Sequence, residues 1–150
     1  MGSVLVLFHS QQYGNTQAMA EAVAEGARAA GAVVTLHNAN EGRLDVEVYR
    51  SFAAVAFGTP DYYSYFAGTL KVFLDDWYFA KGEDDTDLVD KPIALFMTHG
   101  GGGAAKEPFE KLFGRLGHQV GETVESLRAP SAGVVEACKE LGRQLAEAAA

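Results

Sequence analysis

The chain has little cysteine and little positive charge, and both shortages narrow what it can be. A lone Cys138 cannot form an intrachain disulfide, so nothing points to an oxidising compartment and a reducing cytoplasm is the expected setting. Twelve Lys and Arg residues against twenty Asp and Glu leave a net charge of −8. That field repels phosphate backbones and anionic headgroups, so neither nucleic acid nor a membrane surface is an expected partner. A small anion remains possible where backbone N–H groups and hydroxyls, in place of lysines, hold it. No apolar run is long enough to cross a bilayer, and no basic segment precedes the first one, Val4 to Phe8, so no spanning or targeting segment is expected. Internal repeats, linkers and low-complexity blocks are also missing, apart from an alanine-rich C-terminus. The 150 residues are therefore read as a single domain over 1–150, large enough to bury roughly two-thirds of its unfolded surface.

What is present is an alternation of short apolar runs with stretches of helical period, the pattern of a parallel sheet covered by helices on both faces. The first strand is Ser3 to Phe8, followed by a helix from about Asn15 to Ala30 that puts Met19, Ala22, Val23, Gly26 and Ala30 on one face. Ala32 to Leu36 reads as the second strand and residues 44–50 as a short helix with no clean period. Phe52 to Phe57 is the third strand, and Leu70, Phe73, Leu74 and Trp77 then form a helical stripe. The fourth strand is Ile93 to Met97, followed by a second stripe of Phe109, Leu112, Phe113 and Leu116. A weaker strand lies between Gln119 and Leu127, and Pro130 introduces a last helix that buries Val134, Val135, Cys138, Leu141 and Leu145. Right-handed crossovers make such a chain wind both ways from its first strand. A crevice then opens at the carboxyl edge where the strand order reverses, and a ligand is expected there.

Three loops leave that edge. The first, His9 to Asn15 and on to Thr16, runs straight into a helix N-terminus, whose free N–H groups and dipole attract a phosphate. Ser10 and Thr16 add hydroxyls, and Gly14 permits close approach. The loop has neither the triphosphatase nor the dinucleotide glycine motif and no cation, which suits a mononucleotide phosphate. The alternative is an ordinary polar turn with Asn15 as N-cap. The second loop, Gly58 to Phe66, sets four aromatics beside Pro60, and one or two of Tyr62, Tyr63 and Tyr65 are expected to face a planar ligand while the others pack. The third, Thr98-His99-Gly100-Gly101-Gly102-Gly103, has four glycines that let a flat ligand lie against the backbone, unless the loop is simply mobile.

Other residues have plainer readings. His9 and His99 both end strands at this edge, where either could bond a ligand or carry a proton, whereas His37 and His118 are assigned to the surface. No His, Cys or carboxylate cluster has metal-ligand spacing, and no Ser/His/Asp arrangement demands nucleophilic catalysis, so no metal and no catalytic residue is expected. Cys138 and Trp77 belong to apolar stripes and are read as core. The run Glu83 to Asp87 is a solvated acidic loop, or a docking patch for a basic redox partner.

Across essentially its whole length the chain resembles the flavodoxin superfamily. Gln11-Gln12-Tyr13-Gly14-Asn15-Thr16 is similar to that family's phosphate loop, with Gly14, Asn15 and Thr16 matching and Ser10 standing in for a replaced hydroxyl. Gly58-Thr59-Pro60 and the Gly100 to Gly103 run resemble instead the quinone-reductase branch, the tryptophan-repressor-binding protein family. This chain lacks that branch's flavin-facing tyrosine after the fourth strand and is too short for its tetramer-building insertion. The resemblance implies a three-layer α/β sandwich with a five-stranded parallel sheet in order 2-1-3-4-5, and one bound FMN. Ser10, Gln11, Gln12, Tyr13, Gly14, Asn15 and Thr16 would bind the phosphate. Thr59 and Thr98 would reach the ribityl chain or ring, and Pro60, Asp61, Tyr62 and Tyr63 with His99, Gly100, Gly101 and Gly102 would frame the isoalloxazine. The implied function is electron transfer between redox partner proteins such as a flavoprotein reductase, by a monomer or dimer; the alternative is an FMN-dependent NAD(P)H:quinone oxidoreductase.

Overall fold

The computed structural model describes residues 2–150. Its elements alternate as β1 (Ser3–Phe8), α1 (Asn15–Ala29), β2 (Val33–Asn38), α2 (Val46–Tyr49), β3 (Ala54–Pro60), α3 (Gly68–Glu83), β4 (Lys91–His99), α4 (Lys106–Phe113), β5 (Gly117–Gln119), β6 (Val124–Leu127) and α5 (Ala132–Ala149). All strand pairs in the sheet are parallel and the order is β2-β1-β3-β4-β5, with β6 also paired to β4. The expected five-position sheet is thus present, but its fifth position is filled by two short strands in place of one. Lys91 to Ile93 pair with Gly117 to Gln119, and Phe96 to His99 pair with Val124 to Leu127. Between them the Val120 N–H still reaches the Ile93 carbonyl at 2.7 Å, after which Gly121, at φ +67°, turns the backbone out of the ladder. The third and fourth strands run further toward the carboxyl edge than expected, because their polar ends, Gly58 to Pro60 and Thr98 to His99, continue to pair.

Side chains of β1, β3 and β4 alternate between two buried faces, as period two requires. Leu5, Leu7, Val55, Phe57, Ile93, Leu95 and Met97 point to the side of α2, α3 and α4, where they meet Tyr49, Phe73, Trp77, Phe109 and Phe113. Val4, Val6, Ala54, Ala56, Ala94 and Phe96 point to the side of α1 and α5, against Met19, Val23, Cys138, Leu141 and Leu145. Cys138 is wholly buried, and burial pushes its thiol up to about 12, so it is an inert apolar side chain.

The second face is built from small residues, and the two helices on it touch through backbone. A Cβ on Gly26 would stand 1.9 Å from the Lys139 carbonyl oxygen, and one on Gly142 would stand 2.0 Å from that of Val23. Gly58 is constrained similarly inside the sheet, since the ring of Phe96, its partner in register, occupies the place a side chain would take. At the far end of the molecule Gly2 lies against Ala149, close enough that an added Cβ would come within 2.8 Å of the alanine Cβ.

Two Gly→Ala substitutions separate backbone contact from helix propensity. Gly142→Ala should cost about 2–3 kcal/mol by overpacking and lower the melting temperature by roughly 4–12 °C. Gly133→Ala, in the same helix with only Ser131 Oγ at 3.9 Å, should instead stabilise slightly. Thermal unfolding followed by circular dichroism checks both; equal effects would mean that the α1–α5 contact carries no steric constraint.

Candidate functional site at the carboxyl edge

The site begins where β1 stops. His9 donates its backbone N–H to the Gly58 carbonyl, and its ring is then held on both sides. Gln11 Oε1 lies 2.8 Å from Nε2 and Thr69 Oγ1 lies 2.8 Å from Nδ1. Because the Gln11 carbonyl oxygen only accepts, Nε2 is the donor in that contact, while Nδ1 pairs with the Thr69 hydroxyl. Gln11 Oε1 also accepts the Tyr62 hydroxyl at 3.2 Å, and the Tyr62 ring meets His9 edge-on. His9 is therefore a buttress for two loops and does not line the crevice.

Next, the loop is clamped from β2. The Ser10 N–H donates to Asn38 Oδ1 at 3.1 Å, and Asn38 Nδ2 donates to the Ser10 carbonyl at 3.0 Å. The Ser10 hydroxyl accepts the Gln17 N–H at 3.2 Å, acting as a cap from outside the helix. The N-cap residue is Gly14, at φ 71°, with no capping side chain; Asn15 is already the first helical residue. The outcome is an open helix start: among the described residues, no main-chain N–H from Gln11 to Thr16 finds an acceptor within the chain. Thr16 is buried, and its hydroxyl meets that of Thr98 at 2.9 Å, joining the first loop to the end of β4.

The second and third loops are tied to each other through Asp61. Its N–H extends the β3–β4 ladder by bonding the Thr98 carbonyl at 2.8 Å. Its Oδ1 accepts the Ser64 N–H at 2.8 Å and its Oδ2 the Ala105 N–H at 3.0 Å. Tyr62 and Tyr65 then exchange backbone hydrogen bonds around Tyr63 and Ser64, both in the left-handed region at φ 55° and 65°. This is the geometry of a type I′ hairpin turn, unusual without Asn or Gly. It leaves Tyr63 fully exposed at the tip and Tyr62 part-exposed over the first loop.

Two contiguous concavities result. A recess of about 130 Å³ is enclosed by Ser10 to Thr16 with Pro60, Tyr62 and Thr98. A groove of about 530 Å³ continues from it past Tyr13, Asn15, Asp61 and Tyr62 to His99, Gly100, Arg128 and Ala129. The Nδ1 atom of His99 is buried there without a partner. The recess is lined by residues whose main-chain N–H groups are free, donor chemistry that can take an anion, and the groove beside it is about four times larger. A larger concavity between α1 and α5 lies away from these loops and is rimmed by ion pairs such as Lys139–Glu136.

The expected site residues divide accordingly. Ser10 to Thr16, Pro60, Asp61, Tyr62, Thr98, His99 and Gly100 come together around the recess and groove. Four do not line it. Thr59 is wholly buried, its hydroxyl donating to the Pro60 carbonyl at 2.7 Å and accepting the Ala67 N–H at 3.0 Å, so it builds the loop and offers nothing to a ribityl chain. Gly101 and Gly102 stand exposed outside both concavities, and Tyr63 reaches neither rim in this conformation. Gly102 and Gly103 have φ +79° and +64°, so part of the glycine run is explained by backbone conformation and not by ligand approach. Asn38, Arg128 and Ala129 were not anticipated. The first could have been found as an amide at the carboxyl end of β2, and the other two as the loop that follows the weak fifth strand at the same edge.

A doubly wound parallel sheet in this order, with three loops meeting above its switch point and an open helix start among them, defines the flavodoxin-like class of α/β domains. The profile described as "Flavodoxin" matches residues 6–148, and the chain belongs to the flavodoxin family. Over 148 residues it is 27% identical to a protein named Coenzyme F420H(2) oxidase from Methanothermobacter marburgensis, covering 95% of this chain and 35% of that one. Over 93 residues it is 36% identical to an NAD(P)H dehydrogenase (quinone) of Cupriavidus metallidurans, covering 50% of this chain and 46% of that one. The chain thus spans less than half the length of these curated relatives. Among solved structures it is similar to a flavodoxin from the domain Archaea, with TM-score 0.82, 23% identity and 98% of both chains covered. It is also similar to a WrbA-like flavodoxin from Agrobacterium tumefaciens, with TM-score 0.73, 26% identity, and 99% and 98% covered.

The Asp61 carboxylate should govern the order of this edge. Asp61→Ala is expected to cost about 1.5–3 kcal/mol, the usual worth of bonds to a charged group. It should also speed amide hydrogen exchange at Ser64 and Ala105 while the β1, β3 and β4 amides keep their order of protection. Unchanged exchange at those two amides would show that the loops hold each other by other means.

Proposed function

We propose that this domain binds one FMN and passes its electrons between redox partner proteins. The observation that carries the reading is the row of unpartnered N–H groups from Gln11 to Thr16, closing on a recess of about 130 Å³ beside a groove long enough for a flat ring. A phosphate there needs no lysine, which agrees with a chain of net charge −8. Ser10 and Asn38 keep the loop in its phosphate-accepting shape. The Thr16–Thr98 pair sets the floor where recess and groove meet, and Tyr62 with Tyr13 offers ring faces along the groove. When bound, the flavin supplies the redox chemistry. The chain's part is to orient it, exclude water from one face and leave an edge open to a partner. Such a protein would work in a reducing cytoplasm with a flavoprotein reductase as donor.

The second reading, an FMN-dependent NAD(P)H:quinone oxidoreductase, is favoured by the identity to the Cupriavidus protein. Length does not separate the two, since the WrbA-like structure is itself covered almost end to end. The difference lies in what stands over the ring. A reductase must let nicotinamide and then quinone stack in a walled pocket. Here the groove is bordered by Gly100, which has no side chain, and by Tyr13, itself 78% exposed, which suits a docking protein better than a small substrate.

Two measurements test this reading. The protein should take up FMN one-to-one at micromolar concentration and bind FAD far more weakly. Asn15→Asp puts a carboxylate at the first residue of α1, where it suits the helix dipole but repels a phosphate. It should weaken FMN binding tenfold or more, leave riboflavin binding nearly unchanged and preserve the melting temperature. Equal effects on FMN and riboflavin would place the phosphate elsewhere. In stopped-flow experiments NAD(P)H alone should reduce the bound flavin slowly, and a flavoprotein reductase quickly, at a rate that falls as salt rises. Rapid reduction by NADH or NADPH with multiple-turnover quinone reduction would promote the second reading.

A further inference from the structure

Among the described residues Arg128 is the one Lys or Arg that lines either concavity, and it lines the groove and not the recess. Its backbone is left-handed, at φ 58°, a conformation costly for a side chain of this size. Neighbouring bonds hold it there: the Arg128 N–H donates to the His99 carbonyl at 2.8 Å, and the Ser126 hydroxyl donates to the Arg128 carbonyl at 2.9 Å. The first bond continues the β4–β6 ladder past its end, and the second closes the turn that follows β6. The guanidinium makes one long bond, from Nη2 to the Gly100 carbonyl at 3.4 Å, and among the described residues it forms no ion pair. In a chain with twenty acidic residues, an arginine without a carboxylate partner in a strained position at the end of a groove is a donor set without its acceptor.

We infer that Arg128 is a positioning residue for the redox end of the ring, holding the negative charge that reduction leaves there. The inference rests on the FMN reading above. With a phosphate in the recess, the ring would lie along the groove that Arg128 lines. A bound ring that took up two electrons and one proton, from a reductant such as dithionite or a reduced partner protein, would become a monoanion. Its charge lies on the pyrimidine nitrogen and the carbonyl beside it, which are acceptors for a guanidinium. Arg128 then favours the reduced over the oxidised ring and raises the two-electron midpoint. The opposing charge on the groove, the Asp61 carboxylate, already accepts the Ser64 and Ala105 N–H groups and so is turned into its own loops.

The test uses the full chain loaded with FMN, comparing wild type with Arg128→Gln and Arg128→Lys. Affinity for oxidised FMN, from fluorescence quenching, is expected to change less than threefold. In Arg128→Gln the reduced flavin should be held at least tenfold more weakly relative to the oxidised one. That corresponds to a midpoint fall of about 30 mV for a two-electron couple, read by spectroelectrochemistry, and Arg128→Lys should recover much of it. The fall should also shrink as salt is raised, as expected for a charge at the groove rim. A shift below twofold in Arg128→Gln, with FMN bound normally, overturns the role of Arg128 and leaves the FMN reading standing. Failure of the wild type to take up FMN overturns both.

Discussion

The backbone contact between α1 and α5 sets the position of everything that follows. Gly26 and Gly142 bring the helices so close that carbonyl oxygens take the places of side chains, and Ala54, Ala56 and Ala94 let the pair sink onto the sheet. The N-terminus of α1 is thereby fixed above the end of β1, and its free N–H groups face the ends of β3 and β4. A bulkier residue at either glycine would tilt α1, and a helix of this length converts a small tilt into a large displacement of its first turn. The placing of the open helix start at this edge thus depends on small residues buried far from it.

The loops at the edge are organised less by their ends than by cross-bonds between them. Asn38 clamps the first loop, the Thr16 and Thr98 hydroxyls join it to β4, and Asp61 joins the second loop to the third. Each bond links segments far apart in sequence, so the shape of the crevice becomes a property of the whole sheet edge. A ligand arriving there meets donors already oriented, and little ordering cost remains to be met on binding.

Much of this was legible in the residues. The alternation of apolar runs announced a parallel sheet covered on both faces and wound both ways from its first strand, and the order 2-1-3-4-5 came from the resemblance to flavodoxins. The stripe of Leu70, Phe73 and Trp77 and that of Phe109 and Phe113 fell on the buried sides of α3 and α4 as their spacing required. Details set by tertiary contact were not legible. Residues 117–127 split into two strands because Gly121 leaves the ladder under α5, a contact no local pattern announces. Thr59 looked like a ligand group by type and position, yet its hydroxyl closes its own loop. The strand before Arg128 was expected only within the span Gln119 to Leu127, and without its exact end no local pattern places Arg128 at the same edge as the other three loops. Hydroxyls and amides of loops have many local partners, and which one they take is decided only when the loops meet.

Gly2 and Ala149 lie side by side, so the chain enters and leaves the domain at one place, remote from the crevice in the direction of β1. A fold with that geometry can be spliced into a surface turn of a host protein, or joined to others in tandem, without stretching either connection. Joining its own ends with a short linker and reopening it elsewhere demands little of the backbone either. The crevice, at the carboxyl ends of β1, β3 and β4, lies at the opposite ends of these strands from that junction.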